Sequence, residues 1–289
     1  MNLNVKGVLI DFGGTLAFLD ETENRKYEEA LISTLKKHGN ERQLKDLTSV
    51  LADLYLSSTD GKMKSPQEFW SQALKKLRVP ERKELLDDLE EVRSNHAPSM
   101  WRLFDGVPAI LPALESKYKL ALVSNCAVGT DKLIENLGLT CFFNCIILSY
   151  QVGARKPDKR MYLEALRCLK LEAHECIFVA DEISDLEGAK ETGLKTMLVR
   201  QGPDTFREAK NNNFKPDSQI NQISEITKAL NAPHNTTKQQ RSKHHPTQPH
   251  TTLQGSKKTR IEHSNTKPRI QNKKPNAQDS QPSKTPGIE

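Results

Sequence analysis

Val8-Leu9-Ile10-Asp11-Phe12-Gly13-Gly14-Thr15 is the stretch on which the fold turns. Three apolar residues in a row, without polar alternation, read as a strand buried on both faces, the pattern of a parallel sheet. A carboxylate at the end of such a strand, followed by two glycines, sits at the mouth of the sheet with room for a ligand against the backbone. In open α/β sheets that edge is where ligands bind. A Gly-Gly pair after a strand also makes an ordinary turn. The segment gains its meaning from residues much further along the chain.

Three more polar clusters accompany strand-like runs. Leu120-Ala121-Leu122-Val123 ends in Ser124-Asn125. A hydroxyl and an amide there can hydrogen-bond an oxyanion, and can equally cap a helix or a turn. Ala154-Arg155-Lys156-Pro157-Asp158 precedes a helical stretch from about Lys159 to Leu169. Most lysines are surface residues, but a proline fixes the backbone beside Lys156 and suits a lysine that must be aimed. Cys176-Ile177-Phe178-Val179-Ala180 runs into Asp181-Glu182-Ile183-Ser184-Asp185. Those acids can favour the positive start of a helix or hold a hard cation through oxygen ligands.

The order of Asp11, Ser124, Lys156 and the acids at 181 to 185, with Gly188-Ala189 after them, resembles the haloacid dehalogenase superfamily of aspartate-nucleophile hydrolases. The resemblance spans residues 3–231 and is specific for the superfamily rather than for a substrate. It implies an α/β fold, a Rossmann-like parallel sheet with helices on both faces, plus an inserted all-helical cap. It implies a Mg²⁺-dependent hydrolase, a phosphatase of small phosphorylated metabolites that passes through an aspartyl-phosphate on Asp11. Attack by a carboxylate on a dianionic phosphoryl group must be screened, and Mg²⁺ does this together with Lys156 and Ser124 on the outer oxygens. By the same resemblance, Asp11 and Lys156 are catalytic, and Ser124, Asn125, Thr15 and Lys156 bind substrate. The metal ligands it implies are Asp11, the Gly13 carbonyl, Asp181 and Asp185, the last through water or by orienting the others.

The chain departs from the family pattern at Gly13. Family phosphatases usually carry a second aspartate there, which protonates the leaving group and later activates water. Such proton transfer contributes about a hundred- to ten-thousandfold in rate. The departure admits three readings: a phosphatase that is slow or restricted to good leaving groups such as acyl phosphates, cleavage of a C–P or C–halogen bond, or a phosphate-binding or scaffold protein with impaired turnover. Ala180 and Glu182 are smaller departures, Glu182 reading as a helix-start acid.

Of 289 residues, 36% are hydrophobic, enough for one α/β core and a smaller unit. Helical stripes occupy the segment after motif one: Tyr27, Ala30, Leu31 and Leu35; Leu44, Leu47, Leu51 and Leu54; Phe69, Ala73 and Leu77; Leu85, Leu89 and Val92. They predict four helices forming a cap over 16–97, set between core segments 1–15 and 98–231. Trp70 and Trp101 read as packing residues. Later strands are expected at Leu120–Val123, Cys145–Leu148, Cys176–Ala180 and Thr196–Val199, alternating with helices. Five cysteines without a C-x-x-C pair read as reduced thiols, with Cys141 and Cys145 packed in the core, and point to a cytoplasmic protein. No run reaches the roughly 20 apolar residues of a membrane span. Residues 232–289 lack aromatics and hold eleven Lys and Arg against three Asp and Glu, a net +8 that leaves −2 for residues 1–231. That composition predicts a disordered basic tail, with a weak nucleic-acid or polyanion contact as its sharper reading.

Overall fold

The computed structural model describes residues 5–63, 65–201 and 214–231. In chain order these form β1 (Gly7–Ile10), β2 (Ala17–Leu19), α1 (Glu21–Lys37), α2 (Leu44–Ser58), α3 (Pro66–Lys76), α4 (Lys83–Met100) and β3 (Trp101–Leu103). Next come α5 (Val107–Glu115), β4 (Lys119–Ser124), α6 (Thr130–Asn136), β5 (Cys145–Leu148), α7 (Ser149–Val152) and α8 (Lys159–Leu169). β6 (Cys176–Ala180), α9 (Ile183–Glu191), β7 (Lys195–Val199), β8 (Ser218–Ile220) and α10 (Ile226–Asn231) complete the order.

Six strands make one parallel sheet in the order β5-β4-β1-β6-β7-β8. Alternate residues of its strands serve two separate cores. Val8, Ile10, Leu120, Leu122, Ile177 and Val179 pack on one face with α5 and α10. Leu9, Ala121, Val123, Cys176, Phe178 and Ala180 pack on the other with α8 and α9. A strand covered on both faces has no reason to alternate in polarity, which is why the sequence shows plain apolar runs. The chain leaves β1 for β4 on one side and returns to β6 on the other, so the sheet's switch point lies at β1. Ligands of open α/β sheets bind outside the carboxyl ends of the strands at such a point.

Helices α1 to α4 share a third hydrophobic cluster, centred on Leu31, Leu35, Leu47, Trp70, Leu74, Leu85 and Leu89. Its stripes match the helical periodicity in the sequence. The chain enters and leaves this helical group through an antiparallel pair, β2 with β3, in which Ala17 faces Leu103 and Leu19 faces Trp101. Three-residue strands carry too little periodicity to be read beforehand, and so does β8.

Two readings of the cysteines are corrected. Cys145 on β5 and Cys168 on α8 form a disulfide, so not all thiols are free. The two are 23 residues apart and meet only because α8 folds back on β5. Cys141, expected in the core, is exposed. Among the described residues no helix is long and apolar enough to cross a membrane. The tail lies outside the described residues.

The edge strand β8 is held by Asp217. Its carboxylate accepts from the Thr196 amide and hydroxyl, each at 2.9 Å, and from Lys190 Nζ at 3.0 Å. Burial alone would raise its carboxyl, but the Lys190 and Thr196 bonds outweigh that and hold it below its ordinary 3.8. Asp217→Ala therefore leaves buried Thr196 donors unpaired and should cost about 1–3 kcal/mol of stability at neutral pH. A carboxylate with a depressed folded value stabilises above its unfolded value and loses that contribution as pH falls through the folded one. Denaturant melts should show the gap between wild type and variant at pH 7 shrinking below about pH 4.

Candidate active site

β4, β1 and β6 lie side by side, and their carboxyl ends carry Ser124, Asp11 and Asp181. The loop before α8 brings in Lys156, and the first turns of α9 bring in Asp185. Lys156 is 2% exposed, and its Nζ lies 2.6 Å from Asp11 Oδ1 and 2.8 Å from Asp185 Oδ2. The same nitrogen sits 5.2 Å above the Phe178 ring centroid. Both hydrogen bonds to Asp11 fall on Oδ1, the second being donated by the Phe12 amide at 2.7 Å.

Surrounding groups fix this cluster. Asn125 Nδ2 donates to the Lys156 carbonyl at 3.1 Å, and Asn125 Oδ1 accepts from the Lys156 amide at 2.7 Å. The sequence reading expects Asn125 to bind substrate, yet both ends of its amide hold the main chain of Lys156. Thr15, expected to bind substrate as well, is fully buried and donates to Asp181 Oδ1 at 3.1 Å. Gln201, which no sequence pattern flags, donates to the Thr15 carbonyl at 2.5 Å and accepts from the Ile223 amide at 2.7 Å. Tyr162 donates to the Asp185 carbonyl at 2.6 Å and meets Phe178 edge to face. Gly188 lets α9 pack against the Lys156-Pro157 segment, since a Cβ there would lie 2.4 Å from the Pro157 carbonyl oxygen. Glu182 sits at the helix start, accepting from Ser184.

Three carboxylates face one ammonium here. Burial pushes the Asp11 carboxyl well up; Lys156 opposes this, and Asp185 and Asp181 add to it. Burial raises Asp181 too. For Lys156, burial favours the neutral amine, but Asp11 and Asp185 overcome it and hold the ammonium above its ordinary range. The result is a desolvated pocket with an excess of negative charge and hard oxygen donors. Among the described residues no three acidic, histidine or cysteine side chains converge into a ready-made metal cluster. Mg²⁺ does not require one, because it is held by one or two carboxylates and keeps several waters. The donor set and its charge excess therefore fit that ion.

Beside the charged cluster lies a cavity of about 80 Å³. Phe12 and Gly13 form part of its wall, with Ser124, Asn125 and Cys126 from the loop after β4. Tyr55 reaches it from α2, Trp101 from the start of β3, and Thr130 and Leu133 from α6. Trp101 is thus not merely a packing residue. Its indole lies against the Phe12 ring, with centroids 5.2 Å apart. Neither Tyr55 nor Trp101 carries a sequence signal, because each reaches the cavity only through tertiary packing.

A family described as "Haloacid dehalogenase-like hydrolase" matches residues 70–199, a range that includes Ser124, Lys156, Asp181 and Asp185 but not Asp11. The glyceraldehyde 3-phosphate phosphatase of Methanopyrus kandleri is 30% identical over 124 residues, 42% of this chain and 53% of that protein. The N-acetylmuramic acid 6-phosphate phosphatase of Pseudomonas aeruginosa is 26% identical over 208 residues, 69% of this chain and 84% of that protein. The crystal structure of the 2-haloacid dehalogenase of Pseudomonas syringae superposes with a TM-score of 0.60 at 22% identity, covering 78% of this chain and 98% of that one. That likeness shows the fold. The chain spans about half the length of the first curated relatives it matches.

Gly14 is the tightest point of the site. Its φ is +75°, and a Cβ on it would fall 2.1 Å from Asp181 Oδ2. Gly14→Ala should strain the loop by about 1–2 kcal/mol and drive Asp181 away from Thr15. The expected result is a folded protein with a modestly lowered Tm and a displaced Asp181, visible in a crystal structure of the variant; an unmoved Asp181 would contradict it.

Proposed function

We propose that the chain belongs to the haloacid dehalogenase-like hydrolases and is a Mg²⁺-dependent phosphatase of small phosphorylated metabolites that works through Asp11. The observation that carries this reading is the buried Lys156 ammonium, bonded to Asp11 and Asp185 beside a cavity at the sheet's switch point. A carboxylate held by one oxygen is aimed through the other. We assign attack on phosphorus to Asp11 Oδ2, since Lys156 and the Phe12 amide occupy Oδ1. Attack forms an aspartyl-phosphate and releases the alcohol part of the ester; water then cleaves the acyl phosphate and restores Asp11.

Lys156 holds the nucleophile in place and offers positive charge to the phosphoryl oxygens, with Ser124 as a hydrogen-bond donor to them. Asn125 and Thr15 act through Lys156 and Asp181. In this reading Asp11, the Gly13 carbonyl, Asp181 and Asp185 hold the metal, which when bound screens the charge that builds up on the phosphoryl oxygens. We assign residues 1–15 and 98–231 to the catalytic core and 16–97 to a lid that closes over the nucleophile and excludes water. A cavity of about 80 Å³ is well below the roughly 300–1,000 Å³ of a drug-sized ligand site. That size suits a phosphoryl group with a small remainder.

A panel of phosphate esters with and without Mg²⁺ tests the reading. Wild type should turn over at least one ester, only with Mg²⁺, and Asp11→Asn should abolish turnover. Asp181→Ala should weaken Mg²⁺ binding in calorimetry while leaving the circular dichroism spectrum unchanged. Full activity in Asp11→Asn would overturn the assignment. Phosphate binding without turnover on any ester would replace it with that of a phosphate-binding protein.

The +8 charge of residues 232–289 supports a further part of the proposal, a weak contact with nucleic acid or another polyanion. Affinity for single-stranded RNA should fall steeply with salt and disappear when 232–289 are removed; affinity that survives removal would refute it.

A further inference from the structure

Among the described residues that line the cavity beside Asp11, Tyr55 alone comes from α1 to α4. It stands in the last turn of α2, next to Leu54. Leu47, Leu51 and Leu54 turn that helix toward the core it shares with α1, α3 and α4. Tyr55 lies outside that core and keeps 41% of its surface accessible. The packing of the helices therefore does not account for an aromatic residue here.

The phenol end of Tyr55 is nevertheless enclosed. Burial pushes it above its ordinary range; Cys126 and Asp11 act in the same direction, and Arg155 and Lys156 oppose them. Asp11 and Lys156 belong to the charged cluster and Cys126 to the cavity wall, so the hydroxyl is turned toward the site. The Tyr55 carbonyl accepts from the Ser58 hydroxyl, but the Tyr55 hydroxyl has no hydrogen-bond partner among the described residues. Enclosed tyrosine hydroxyls ordinarily have one.

The other polar groups of the cavity are largely engaged. Asn125 holds the Lys156 main chain with both ends of its amide, and the Thr130 hydroxyl donates to the Ala127 carbonyl at 2.9 Å. Lys156 is already bonded to Asp11 and Asp185. A dianionic phosphoryl group has three outer oxygens and needs more donors than Ser124 and what remains of Lys156. A phenol meets that need without altering the charge of the site.

We propose that Tyr55 is a phosphate-binding residue, its hydroxyl donating a hydrogen bond to an outer oxygen of the phosphoryl group. This rests on the phosphatase reading of Asp11. The phosphoryl group is the part of the substrate that must lie against Asp11, in a cavity of about 80 Å³ that leaves little room for the remainder. A ligand held by Ser124 and Tyr55 bridges β4 and α2, so the helical segment takes part in gripping the reacting group itself.

The test is calorimetric titration of the full chain with inorganic phosphate in the presence of Mg²⁺. Tyr55→Phe should raise the Kd of phosphate about tenfold or more, as expected for loss of a hydrogen bond to a charged group. Its Tm without phosphate should equal that of wild type, because the hydroxyl has no partner in the protein. Tyr27→Phe removes a phenol of the same helical group that does not line the cavity, and should bind phosphate as wild type does. Unchanged phosphate affinity in Tyr55→Phe would overturn the proposal, even with a raised KM for an ester, since the hydroxyl would then serve the other part of the substrate. A lowered Tm without phosphate, or an equal loss of affinity in Tyr27→Phe, would overturn it as well by giving the hydroxyl a structural role or the effect a remote origin. Each of these results leaves the phosphatase reading intact. A wild type that neither binds phosphate nor turns over any ester would instead overturn that reading, and this proposal with it.

Discussion

A buried ammonium must be paired, and the pairing of Lys156 with Asp11 and Asp185 is the constraint on which the site depends. Removing one partner from such a cluster typically costs about 3–5 kcal/mol, because a charge is left desolvated and alone. Meeting the constraint requires the ends of β1 and β6, the loop before α8 and the start of α9 to arrive at one point. Much of the local chemistry serves that meeting. Asn125 grips the Lys156 main chain from both sides, Gly188 lets α9 close on Pro157, and Tyr162 ties the Asp185 carbonyl to the ring beneath the ammonium. As a source of stability the cluster is poor, since well-packed apolar residues would hold the fold as well. Its retention of three carboxylates around one cation makes sense as chemistry.

The sheet was legible in the sequence because its strands are covered on both faces. Leu120–Val123 and Cys176–Ala180 read as apolar runs, and each ends where the chain turns polar at the sheet's mouth. The helices before Trp101 were legible for the complementary reason: one face of each meets a shared core, which imposes a helical period. The pair β2 and β3 was not legible, since three residues cannot display a period. Nor was the Cys145–Cys168 disulfide, which depends on how α8 returns over β5.

At the site, the residue types announced themselves more clearly than their roles. Asp11, Lys156 and Asp185 come together as their positions after strands suggest. Asn125, which also lines the cavity, and Thr15 brace Lys156 and Asp181, which only the crossing of distant loops could reveal. Tyr55 and Trp101 enter the cavity from the helical segment and its return strand, with no motif to mark them. The charged floor is thus written in short local motifs, whereas the aromatic wall is a product of packing. A division of this kind allows one reaction centre to keep its chemistry while the inserted helices and their flanks change what it accepts.

The central claim is that Asp11 becomes covalently bonded to phosphorus during turnover. Rapid quenching of a single turnover in oxygen-18 water, followed by mass spectrometry, tests it most directly. The account predicts a phosphoryl adduct on the peptide containing Asp11 that rises and then decays, with the heavy oxygen recovered in the released phosphate. Turnover with no adduct on that peptide, or heavy oxygen appearing in the Asp11 carboxylate instead of the phosphate, would contradict it.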